Sequence, residues 1–344
     1  MEVELTNTWN RLLDAFPSER KDVYFTEEYV KLYENETEKA DCFVCRDGEK
    51  VMLFPLLKRE FIFRGKTYKD FETAYGYGGP ICNCGDKEFL LQALTAFKQH
   101  CHENGYVAGF VRFHPLMNNQ EGFESIGRIL AERKTVAIDL NQSMDDVWKN
   151  EIHSKNRNMI RKAEKLGCKF IVDDNYKYLP EFIRLYDQTM DKLSASSFYY
   201  FNDSYYNKLK NGIPDSFIGC VVNAEDKIIS AAIFMYNGAW GHYHLSGSDK
   251  SQLALSPNNL MLWSAACELQ KRGVKLFHLG GGTNSDEDNP LFLFKHRFSK
   301  ETRQFYLGKL MFNREIYDEL CADWELKHPD LAERNKNILL KYKY

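Results

Sequence analysis

The sequence predicts an α/β chain, of the α+β kind, built from two similar units in tandem. Three observations carry that expectation. Two distant stretches read alike, the order of helices and strands continues in parallel after each, and 344 residues suit two cores of ordinary size better than one.

The first stretch, "DVYFTEEYVKLYENETEKADCFVCRDGEKVMLFPLL", runs from Asp22 to Leu57; the second, "SFYYFNDSYYNKLKNGIPDSFIGCVVNAEDKIISAAIF", runs from Ser197 to Phe234. Tyr24-Phe25 matches Tyr200-Phe201, Tyr29 matches Tyr205, and Glu27 and Asp203 supply acid to the two helix starts. Each stretch reads as a short helix, an apolar strand, a polar turn and a second apolar strand. In the first half a strand around "ETAYGYGGPI" then precedes the helical pattern "DKEFLLQALTAFKQHCHENG" and the strand "YVAGFVRFHPL". In the second half "WGHYHLSGSD" precedes "PNNLMLWSAACELQKRGV" and "KLFHLGGG". Both helices space apolar residues three to four apart and stop at a glycine, Gly105 or Gly273. Duplication of one α/β unit accounts for this order, with expected domains at residues 1–142 and 169–344.

Residues 143–168 are expected to form a basic helix joining the two. Ser143 is placed to cap it, Asp145 and Asp146 lie in its first turn, and Gly167 ends it. Its exposed flanks carry Lys149, His153, Lys155, Arg157, Arg161, Lys162 and Lys165. A solvated helix face reads the same way as an anion site, where arginine forks and lysine charges meet a phosphate. Lys155, Arg157 and Arg161 are the candidate substrate-binding residues there.

Hydrophobic residues make up 44%, charged residues 28%, and the formal net charge is −3. That balance fits a soluble globular protein and supplies no global field for nucleic acid, so DNA is not an expected partner. No apolar run approaches the ~20 residues of a membrane helix, and the polar, acidic start does not read as a signal peptide. Nine scattered cysteines, an odd number, point to a reducing cytoplasm. Cys42 and Cys45 stand three apart on an expected strand and so face opposite ways; no metal site is expected.

The stretch "KLFHLGGGTNSDEDNPLFLFKHRFS", Lys275 to Ser299, is the least ordinary. A strand ends in Gly280, Gly281 and Gly282, an acidic loop follows, and Lys295 stands between phenylalanines. Glycines at a strand end let a ligand lie against the backbone. No G-x-G-x-x-G or G-K-[ST] pattern makes this a nucleotide loop.

"WKNEIHSKNRNMIRKAEKLG", "HYHLSGS…SPNNLMLWSAACELQKRGVKLFHLGGG" and "LFLFKHRFS", taken in order, resemble the Fem-type acyltransferases, tandem-GNAT proteins that include peptidoglycan interpeptide-bridge aminoacyltransferases. The resemblance covers most of the chain and is strongest from Trp148 to Ser299. It implies two GNAT-like domains, each a mixed central sheet flanked by helices, and transfer of an acyl or aminoacyl group onto an amine. The implied donor is aminoacyl-tRNA or acyl-CoA, with no tightly bound cofactor, and the implied acceptor is a small-molecule or lipid-linked amine. It also places a lysine in the "FKHRF" turn, which marks Lys295 for holding an anion or stabilising charge as the ester breaks.

Amine attack on an ester needs alignment and hydrogen-bond donors rather than a protein nucleophile. No G-x-S-x-G elbow is present. Tyr243 and Ser248, at the end of the "HYHLSGS" strand, are the other candidate catalytic residues; His242 and His244 share a face, and either is placed to accept the amine proton. Tyr77, in "YGYGGP", and Phe298 complete the candidate substrate-binding set with the three glycines. The ordinary GNAT pyrophosphate signature is missing, and Ser256 is the expected cap of the helix that would follow it. A nonenzymatic module binding an anionic glycan or nucleotide precursor is the competing expectation.

Overall fold

A computed structural model describes residues 1–343 of the protein. The chain forms two compact units, residues 1–132 with those from 305 onward, and residues 133–304.

In the first unit lie β1 (Glu2–Thr6), β2 (Glu38–Asp47), β3 (Lys50–Phe63), β4 (Lys66–Glu72), the short β5 (Ile81–Cys82), which pairs with β3, and β6 (Tyr106–Arg112). The second unit takes most of β7 (Arg128–Asp139), then β8 (Lys169–Asp173), β9 (Ser216–Val222), β10 (Ile228–Asn237), β11 (Trp240–Ser248) and β12 (Leu276–Gly281). The later residues of β13 (Thr302–Met311) return to the first unit. Its sheet runs β1-β2-β3-β4-β6-β13, with β4 and β6 parallel and the other pairs antiparallel. The second unit's sheet runs β8-β9-β10-β11-β12-β7, with β11 and β12 its parallel pair. The two sheets follow one plan.

Local chemistry explains the elements. β2 and β3 form the expected hairpin, closed between Asp47 and Lys50 with Gly48 at φ +59°, a left-handed position that glycine adopts without strain. The crossover helix Lys87–Glu103 joins the first parallel pair. Asp86 caps it by accepting from the Glu88 and Phe89 amides, and it ends before Gly105 at φ +74°. Its buried Phe89, Ala93, Leu94, Phe97 and Cys101 share a core with Phe43, Phe54 and Phe71 of the sheet. Each such phenylalanine contributes about 1.5–3 kcal/mol on burial. In the second unit the helix Pro257–Lys271 crosses in the same place, and its Leu262, Ala266 and Leu269 bury against Phe217, Phe234 and Phe277.

Two expectations change. The C-terminal helices do not belong with the second domain. β13 pairs with β6, Leu307 opposite Arg112, as the sixth strand of the first sheet. The helix Arg314–Lys327 follows it and buries Leu320 in a cluster with Val107 and Ala108. Residues 143–168 are likewise no separate linker but part of the second unit, burying Val147, Ile160 and Ala163 in its core. Nor are they one helix. Ser143 caps a short turn through the Asp146 amide, a π-helical turn follows at Val147–Glu151, and the chain extends at Ile152 before the helix Ser154–Lys165. No helix among the described residues is long and apolar enough to cross a membrane.

Candidate active site at the parting of two parallel strands

The parallel ladder between β11 and β12 stops early. Its register runs Trp240, Gly241 and His242 against Leu276, Phe277 and His278, although β11 continues to Ser248 and β12 to Gly281. Two bulges fall at this point: His244 is the extra residue of β11 against β10, and the β12–β7 register slips between His278 and Gly280. Bulges of this kind bend a strand away from its neighbour and re-aim its side chains. Beyond His242 and His278 the two strands part.

Lys295 spans the parting. It lies on the short helix Pro290–His296, whose start is fixed by Asn289 accepting from the Leu291 and Phe292 amides. Its ammonium donates to the Gly281 carbonyl at 2.8 Å, on the β12 side, and stands 5.9 Å from the centre of the Tyr243 ring, on the β11 side. Lys295 is buried, and it makes no ion pair among the described residues. Burial, with the nearby Arg133 charge adding to it, pulls its pKa down to about 7. Such a cation is half-titrated at neutral pH and gains from any anion that reaches it.

The three glycines are explained mainly by packing. At Gly280, φ is +76°, and a Cβ would lie 3.3 Å from the Lys295 ammonium. At Gly281 a Cβ would meet the Lys134 carbonyl at 2.7 Å, and at Gly282 the Asn289 Oδ1 at 2.7 Å. The run thus lets β7, the Asn289 cap and Lys295 close on one strand end. Arg133, which no sequence pattern marked, donates to the Gly282 carbonyl at 3.0 Å and belongs to the same cluster.

Tyr243 packs on the core with Phe234, ring centres 5.7 Å apart, and burial raises its hydroxyl pKa. Ser248 is elsewhere. Its hydroxyl donates to Asn258 Oδ1 at 2.8 Å and lies 2.9 Å from the Ser230 hydroxyl, while its amide donates to Thr189. That knot ties the strand to the start of the crossover helix, and no contact joins Ser248 to Lys295 among the described residues. Ser256 stands at the N-cap of that helix as expected, but at φ +59° its hydroxyl goes to the Met159 sulfur and makes no capping bond. His244 bonds the Tyr205 hydroxyl at 2.8 Å, and burial, then the neighbouring His242, drives its pKa to about 3. Neutral across physiological pH, His244 is a weak base for an ammonium proton.

The basic segment is largely structural. Arg157 donates from one nitrogen to the carbonyls of Trp148, Lys149 and Ile152 at 3.0, 3.0 and 2.8 Å, closing the π-helical turn that the sequence reading did not foresee. That nitrogen acts as a cap for the turn. Arg161 lies 5.3 Å over the Trp148 ring, and Lys155 is exposed. Phe298 is fully buried in the core against Phe294, so it is not a substrate contact.

Tyr77 lies in the first unit, in an aromatic nest with Tyr24, His114 and Phe305 at 5.2, 5.9 and 5.3 Å between ring centres. Beneath it, Asp22 and His114 meet at 2.6 Å with no exposure on either side chain. The Leu116 amide donates to His114 Nδ1, which puts the imidazole proton on Nε2, toward Asp22.

Residues 153–288 match the family model of the acetyltransferase (GNAT) domain, which spans both parted strands and the crossover helix. The curated UDP-N-acetylmuramoylpentapeptide-lysine N(6)-alanyltransferase of Weissella viridescens is 21% identical over 282 residues, covering 75% of this chain and 82% of that protein. Among solved structures, FemX superposes with a TM-score of 0.69 at 14% identity, over 92% of this chain and 99% of that one. A conserved protein of unknown function from Bacteroides thetaiotaomicron superposes at 0.58 with 11% identity, over 90% and 100%. The order of strands, the parted parallel pair and these likenesses agree with the resemblance read from the sequence: residues 153–288 form a GNAT domain, the chain has the fold of FemX, and it is similar to a Fem-type alanyltransferase.

Proposed function

We propose that the protein transfers an aminoacyl or acyl group to an amine of a cell-envelope precursor, a peptidoglycan peptide or an amino sugar, by direct attack of the amine on the donor ester or thioester. The observation that carries this reading is Lys295, a buried cation reaching across the mouth between β11 and β12. Parted strands give an acyl chain or aminoacyl end two unpaired backbone edges to lie between. The ammonium then sits where negative charge develops as the carbonyl becomes tetrahedral, or where a donor phosphate rests. Tyr243 forms the opposite wall. The attacking amine loses its proton to substrate or water, since burial makes His244 too weak a base.

A covalent route through cysteine has little support. Burial pushes the Cys220 thiol up to about 12 and the Cys267 thiol to about 11, which suppresses the nucleophilic thiolate.

The named relative acts on a lysine amine of a UDP-linked muropeptide, which makes that acceptor class the first to try. The donor is aminoacyl-tRNA or acyl-CoA, and binding separates them. Aminoacyl-tRNA bound saturably, more weakly as salt rises, and untouched by free CoA identifies the tRNA donor. Displacement by CoA identifies the thioester. If neither donor binds, and UDP-linked muropeptide binds without turnover, the protein is a binding module.

A further inference from the structure

The first unit has a cavity far along the chain from the residues of the parted strands. On β4 and β6, Phe71 and Val111 face the helix Lys87–Glu103, so Glu72, Phe110 and Arg112 project from the other face of the sheet. There they line an open cavity of ≈ 590 Å³ with Leu130 and Leu307, walled by the chain at Ile338–Leu340. That volume lies within the roughly 300–1,000 Å³ of small-molecule sites.

The charges lining it are unevenly satisfied. Arg112 donates to Glu72 at 2.9 Å and to the Thr73 carbonyl at 2.8 Å. Lys343 holds the same Glu72, and although burial pushes that carboxyl up, the two cations keep it below its usual range. Lys309 has only the Asn337 carbonyl, at 3.0 Å, and Arg128 is exposed. Neither forms an ion pair among the described residues. Burial and the Arg128 charge both push the Lys309 ammonium below its usual value, with Glu132 opposing them. Two cations without an ion pair therefore stand, with Glu132 near them, at a cavity whose Phe110, Leu130 and Leu307 are apolar, an arrangement relieved by an anion.

We infer that this cavity binds a small amphiphilic anion: an apolar body lying on Phe110, Leu130 and Leu307, with one phosphate or carboxylate head between Lys309 and Arg128. The wall at Ile338–Leu340 makes it a recess for a single soluble chain rather than a face for a bilayer.

Decyl phosphate, titrated calorimetrically into the whole protein below its micellar concentration, is the probe. One saturable site is expected, with decanol binding at least about tenfold more weakly, a difference of about 1.4 kcal/mol. Arg128→Glu, on the surface and harmless to the fold, should weaken the phosphate several-fold, and Arg128→Glu with Lys309→Glu by more than the single change. Leu307→Trp should fill the recess and abolish binding, while Lys295→Ala should leave it intact. Absence of saturation, equal affinity for decanol, indifference to the charge changes, or binding only to vesicles of anionic lipid would each overturn the assignment.

Discussion

In the first unit the parallel strands stay joined beyond their ladder, whereas in the second they part. After Glu72 and Phe110, the Thr73 amide donates to the Phe110 carbonyl at 3.0 Å, and the Thr73 hydroxyl accepts from the Arg112 amide at 2.9 Å. Gly78 then bridges to Phe113 in the same sense. The second unit has a bulge on each strand at the corresponding place, and a lysine stands across the opening. The matched tyrosines show how close the copies otherwise are. Thr26 and Asn202 cap their helices through the amides of Tyr29 and Tyr205, and each tyrosine hydroxyl makes a bond at 2.8 Å, to the Tyr75 carbonyl or to His244. One frame thus serves two ends, and the stitching of a few residues after the ladder decides which copy opens.

That contrast is best broken at its two buried charge centres. Asp22→Ala in the first unit should cost about 3–5 kcal/mol of stability in denaturant titration, the toll of leaving a buried partner unmatched. Wild-type stability with lost turnover would instead move the pair into the chemistry. Lys295→Ala should lower kcat/KM by about 10²–10³-fold, the scale of one lost oxyanion donor, with the fold intact. In wild type, kcat/KM attributable to the charged lysine should fall as pH rises through about 7.

The same residue has a stability signature. Its folded pKa is depressed, so the unfolded chain holds the proton more tightly. The resulting penalty is fully present below about pH 7 and fades as pH rises toward the ordinary lysine value. Lys295→Met should therefore stabilise the protein by roughly 2–3 kcal/mol at pH 6, and by less at pH 9. Arg157→Met should cost about 1–2 kcal/mol by freeing three carbonyls, without changing donor affinity. A large loss of donor affinity there would return the arginine to the site. The effect at His244, also depressed, is confined to acid, where stability drains as pH falls from the ordinary histidine value toward about 3. His244→Gln should flatten that acid limb, whose slope from this group is at most about 1.4 kcal/mol per pH unit.

Much of the frame was legible because periodicity and glycine stops are local. The helices at Lys87 and Pro257, the Asp47 hairpin and the parallel order of the two halves follow from spacing alone. The destination of β13 was not legible, since a strand's partner is fixed by long-range pairing and its own residues do not name it. The break at Ile152 was hidden because one arginine nitrogen, not a proline or glycine, stabilises it. Lys295 was reached through the family resemblance, and its burial and its place over parted strands could not be read from neighbouring residues. Phe298 and Ser248 were misjudged for the opposite reason: residues near a strand or helix end read as accessible until packing is known.

The division of the chain has a further consequence in time. Residues 133–304 form one continuous stretch, so the second unit has every strand of its sheet once that stretch leaves the ribosome. The first unit, although it begins earlier, stays one strand short until β13 has been made, and Val107 and Ala108 wait for the helix that covers them. Synthesis therefore completes the two copies in reverse order, the later one first, and a nascent chain arrested when residue 304 has just cleared the ribosome should protect β9–β12 from protease before β6.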